Sequence, residues 1–99
     1  MTLPLKEDIF STMKLLEQAR DGIQDIDEQI ISLLDERMNY AKIIGAIKRQ
    51  NNKSIYAPEV EEEKIKQLSK MTKNLAMVET IWPVIFCYTR SIQGDCYDS

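Results

Sequence analysis

Stepping along the chain in alternating strides of four and three residues gives Leu16, Arg20, Ile23, Asp27, Ile30, Leu34, Arg37, Ala41, Ile44 and Lys48. That period is the stripe of an amphipathic helix. It predicts one very long first helix, beginning between Leu5 and Thr12 and running to about Gln50. Gly22 and Gly45 fall inside it and weaken it by roughly 1 kcal/mol each relative to alanine, yet the apolar period carries through both. Asn51 and Asn52 suit its end, because asparagine tolerates the left-handed conformation.

A short connection from Lys53 to Ala57 leads to a second helix. Pro58 fits its first position, where a missing N–H costs nothing. Glu59, Glu61 and Glu62 follow in the first turn, where the helix dipole favours anions. This helix is expected to end between Lys70 and Thr72. A third runs from about Leu75 to Gln93, with Val78, Trp82, Ile85 and Thr89 along one face and Ile81 beside it. Pro83 is expected to kink it or to mark a later start, and the closing GDCYDS is expected to fray. No strand pattern competes. The reading is an all-α chain of three helices forming a single domain over residues 1–99.

The long helix bears on assembly. About 40 residues at 1.5 Å each make a rod of ~60 Å, whereas a compact domain of this length has a radius of gyration near ~13 Å. One chain cannot cover both flanks of such a rod. A second copy packing its own long helix alongside is the simplest remedy, so an intertwined helical homodimer is expected.

The stripe contains a problem. Arg20, Arg37 and Lys48 stand where a core should be. Arg37 and Lys48 point in nearly the same direction, ~20° apart and ~16 Å along the axis, leaving room between two long side chains for a small anion. A guanidinium is a natural bidentate fork for a carboxylate, and a lysine ammonium is a compact point charge. Arg20 lies ~25 Å before Arg37 on the same rod, so it reaches that ligand only from a partner chain. Single polar residues in a seam often fix register or snorkel out to water, and Asp27 fits that description. Three cations with almost no acidic neighbour in the stripe point instead to a small polyanion, best a dicarboxylate.

Composition narrows the chemistry. The chain has 99 residues, 29% charged and 43% apolar, with a formal net charge of -3. That charge argues against a nucleic-acid partner. No run approaches the ~18 apolar residues of a membrane span, and MTLPLKEDIF lacks a signal-peptide core, so a cytoplasmic location is expected. There is no histidine, and the cysteines are Cys87 and Cys96 alone. An ordinary zinc site therefore lacks ligands, and histidine triads are excluded. In a reducing cytoplasm both cysteines read as packing or exposed residues. Catalysis, if any, must run on Arg, Lys, Glu, Gln and hydroxyl groups, without metal or cofactor.

The segment RDGIQDIDEQIISLLDERMNYAKIIGAIK, Arg20 to Lys48, closely resembles the first helix of the all-helical chorismate mutase family. IYAPEVEEEKI, Ile55 to Ile65, resembles its loop and second-helix start, and TRSIQ, Thr89 to Gln93, its C-terminal helix. The likeness covers roughly residues 15 to 93. It implies an intertwined dimer of three-helix chains that rearranges chorismate to prephenate in aromatic amino-acid biosynthesis, with one arginine of each site borrowed from the other chain. By position, Arg20 matches the borrowed arginine and Arg37 the arginine on a substrate carboxylate. Lys48 matches the lysine at a carboxylate and the ether oxygen, Glu61 the acceptor of the ring hydroxyl, Thr89 a small hydroxyl residue, and Gln93 the glutamine at the ether oxygen.

Two departures stand out. Where the family pattern reads DPERE, this chain reads APEVE, so Ala57 replaces an acidic residue and Val60 replaces a substrate-binding arginine. Lys64, one turn on, is placed to compensate in part, against the ordinary reading of a solvated helix charge. The APE stretch also resembles the isochorismate-pyruvate lyases built on the same scaffold. An amino-substituted chorismate as substrate, and a catalytically degenerate helical dimer that binds a ligand or partner enzyme, complete the alternatives.

Overall fold

The computed structural model describes residues 6–94 and contains three α-helices: α1, Lys6–Gln50; α2, Pro58–Ser69; and α3, Leu75–Gln93. No strand occurs among the described residues. The expected fraying after Gly94, and Cys96, lie outside them. The chain divides between Glu36 and Arg37 into two compact units.

The first unit is the leading part of α1. Three apolar residues of its stripe stand open to solvent: Leu16 is 48% exposed, Ile23 60% and Ile30 46%. Arg20 is also exposed. The part of the stripe from Leu16 to Ile30, expected in a buried seam, is thus an exposed apolar face in the single chain.

The second unit holds the end of α1 together with α2 and α3. Ala41, Val78 and Phe86 form its small buried core, with the polar Gln93 beside them. Each helix end has a local cause. Asn52 adopts φ 55°, its N–H bonds the Arg49 carbonyl at 3.2 Å, and the Lys53 N–H bonds the Lys48 carbonyl at 2.8 Å. This is the Schellman closure, with asparagine in the left-handed position glycine usually takes. Pro58 opens α2, with no side-chain cap from Ala57. Asn74 caps α3, its Oδ1 accepting from the Met77 N–H at 3.2 Å. The helix then runs unbroken through Pro83, so the cap at Asn74 sets the start and the proline does not delay it. Gly94 ends α3 at φ 100°, and the Arg49 guanidinium donates to the Gln93 carbonyl, a cation at the negative end of the helix dipole. No helix among the described residues is long and apolar enough to cross a membrane.

Candidate active site

All three helices of the second unit line one cavity of about 380 Å³, within the range of roughly 300–1,000 Å³ usual for small-molecule sites. Arg37, Ala41, Ile44 and Lys48 come from α1, one turn apart along its stripe. Glu61, Val60 and Lys64 come from the start of α2, and Phe86, Thr89, Arg90 and Gln93 from α3; Ile55 and Ala57 close the loop side. Five of the six residues singled out by sequence therefore meet here. The sixth, Arg20, belongs to the first unit and is not among the lining residues.

Each of the five is held differently. Arg37 Nη1 donates to Thr89 Oγ1 at 2.6 Å, and the Thr89 hydroxyl donates in turn to the Ile85 carbonyl at 2.7 Å. The Arg37 guanidinium carbon also lies 6.0 Å from the Phe86 ring centroid. Burial pushes the Arg37 pKa down from its ordinary value. A guanidinium carries five N–H donors, so one bond to a neutral hydroxyl leaves the fork available to an anion. Lys48 Nζ donates to the Ile55 carbonyl at 3.3 Å, which aims the half-buried ammonium and leaves two of its three donors. Gln93 is 6% exposed, and its Nε2 donates to the Ala41 carbonyl at 3.0 Å. That bond fixes the amide orientation and leaves a second N–H and the carbonyl oxygen.

Glu61 forms an ion pair with Arg90, a residue the sequence reading passed over. The signal was present: Phe86, Thr89, Arg90 and Gln93 follow i, i+3, i+4, i+7 spacing, and this face, rather than the one through Trp82 and Ile85, lines the cavity. Val60 and Ala57 both sit in the wall, so the two departures from the family pattern fall within the site. Lys64 lines the cavity as well. Among the described residues no group of three or more His, Cys, Asp or Glu side chains is placed to hold a metal ion.

Two α1 cations, a fixed amide and an anchored carboxylate thus line one cavity of an all-α domain. The chain belongs to the chorismate mutase type II family, whose model matches residues 19–94. It is also 40% identical over 63 residues to the bifunctional chorismate mutase/prephenate dehydratase of Aquifex aeolicus (strain VF5). That alignment takes in 64% of this chain but only 17% of the relative's length. No solved structure gives a significant match.

Proposed function

We propose that this chain is a chorismate mutase, rearranging chorismate to prephenate in a site completed by a second copy of itself. The observation that carries the reading is the convergence of Arg37, Lys48, Glu61, Thr89 and Gln93 on one cavity, together with family membership over residues 19–94.

The chemistry suits this inventory. The rearrangement is concerted and asks for no nucleophile or proton transfer. The protein must hold a flexible dianion in its compact reactive conformer and stabilise the negative charge growing on the breaking ether bond. Arg37 takes one carboxylate through the donors that Thr89 leaves free. Lys48 and the second N–H of the Gln93 amide face the ether oxygen. Both donors are already fixed, to Ile55 and Ala41 respectively, so little reorganisation accompanies the reaction. Glu61 accepts the ring hydroxyl.

Arg20 takes part from the partner chain. The dimer is supported by the apolar face of the first unit, where Leu16, Ile23 and Ile30 are 48%, 60% and 46% exposed in the single chain. The deciding experiment is a chorismate assay. Loss of chorismate with prephenate formed supports the mutase. Salicylate and pyruvate from isochorismate would shift the reading to the lyase, which this chain resembles in its APE stretch. Absence of both reactions would leave a binding module.

A further inference from the structure

Arg90 stands one residue beyond Thr89 in the cavity wall. Its Nη1 donates to Glu61 Oε2, and its guanidinium carbon lies 4.6 Å from the centroid of the Tyr56 ring. The two charged side chains are only 21% and 25% exposed. The hydrogen bond to Glu61 is the main cause that raises the Arg90 pKa above its ordinary value, so the guanidinium stays charged. Three separate pieces of chain therefore meet in one stack: the connection before α2, the first turn of α2, and the end of α3.

The geometry divides the two oxygens of Glu61. Oε2 is taken by Arg90, and no other hydrogen bond is made to the Glu61 side chain among the described residues. A carboxylate keeps further lone pairs after one such bond, so Oε1 remains an acceptor on a side chain that lines the cavity. A glutamate has three side-chain torsions; a charge-assisted bond to a ring-backed guanidinium removes much of that freedom.

We infer that Arg90, backed by Tyr56, is a positioning residue that presents Glu61 Oε1 to the ring hydroxyl of the substrate. The pair makes the site selective for ring dicarboxylates that carry a hydroxyl donor there. This rests on the chorismate mutase reading of the cavity. A site built around a substrate hydroxyl rejects analogues lacking that donor far more strongly than an apolar pocket rejects a misfit of similar size. Without Arg90 the carboxylate is free to turn, and the discrimination falls.

The test is steady-state kinetics on the full chain with chorismate and with its ring O-methyl ether, which has no donor to give Glu61. The variants are Arg90→Leu, Arg90→Lys, Glu61→Gln and the Arg90→Leu/Glu61→Gln double. Arg90→Leu should lower kcat/KM for chorismate by about 10- to 100-fold, the loss of one charge-assisted contact, while the ether changes by less than about threefold, within the scatter of independent sites. Arg90→Lys should recover part of the preference, since it keeps the charge but not the fork. The double variant should be no worse than Glu61→Gln alone, because Arg90 acts through Glu61.

Equal losses for both substrates, or additive losses in the double variant, would overturn the inference. Arg90 would then touch substrate itself or merely tie α2 to α3. If Arg90→Leu fails to fold, Arg90→Lys carries the same comparison. Wild-type protein that turns over chorismate without preferring it to the ether sinks the Arg90 role alone. Protein that turns over neither substrate sinks the mutase reading as well.

Discussion

Gly45 of α1 presses directly on Gln93 of α3. A Cβ built on Gly45 would lie 2.9 Å from Gln93 Cβ, 3.0 Å from its Cγ and 3.1 Å from its Cα. The glycine is what lets α3 come close enough for the Gln93 amide to reach the Ala41 carbonyl. A residue that weakens the helix by propensity thereby places the amide assigned to the ether oxygen.

Gly45→Ala sets those two effects against each other. Propensity favours alanine by about 1 kcal/mol, whereas overpacking a well-filled contact typically costs 1–3 kcal/mol or so. Gln93 Cα is backbone and cannot swing away, so packing should win. The expected outcome is a protein less stable in urea and strongly impaired in turnover. Gly22 is the control, since nothing lies within 4 Å of a Cβ built there. Gly22→Ala should stabilise by about 0.4–1 kcal/mol. A loss at Gly22 instead would mean that another chain packs against it.

Lys48→Ala removes the ammonium assigned to the developing charge. Losing one such donor from a preorganised site costs about 10²–10³-fold in rate. The bond to the Ile55 carbonyl is part-buried and neutral on one side, so stability should fall by only ~1 kcal/mol. Circular dichroism should show the fold retained. Activity within a few-fold of wild type would take Lys48 out of the mechanism.

Val60 lies in the cavity wall at the position where the family pattern places an arginine. Val60→Arg should tighten chorismate binding by roughly 1.5–3 kcal/mol, the range of a hydrogen bond to a charged group. The Michaelis constant is the readout. A folded variant with an unchanged or higher value would show that this site is built around the apolar side chain.

The proposed shared site makes the sharpest demand. Under the proposed reading, in which each site takes one arginine from each chain, Arg20→Ala and Arg37→Ala homodimers should each be nearly inactive. A heterodimer of the two variants has one site lacking both arginines and one site holding both. Mixed dimers isolated by differential tagging should therefore recover activity approaching one intact site per dimer. If they are as inactive as either parent, Arg20 serves no partner site.

Much of this protein was legible in the order of its residues. The 3.6-residue period carried α1 across two glycines, and Asn52 and Pro58 mark boundaries through backbone chemistry that is local. Arg37, Lys48, Glu61, Thr89 and Gln93 could be named because their types and spacing resemble one family. What only tertiary structure decided is which faces meet. Phe86 is buried while Ile81 stays 45% exposed, since α3 turns the face carrying Thr89 and Gln93 toward α1. The purpose of Gly45 appears only when Gln93 is seen against it. Arg90 gains a role only when the fold brings Glu61 and Tyr56 to its guanidinium from 29 and 34 residues away in the chain. Periodicity and capping are local properties, whereas a close approach or an ion pair depends on where distant segments are packed.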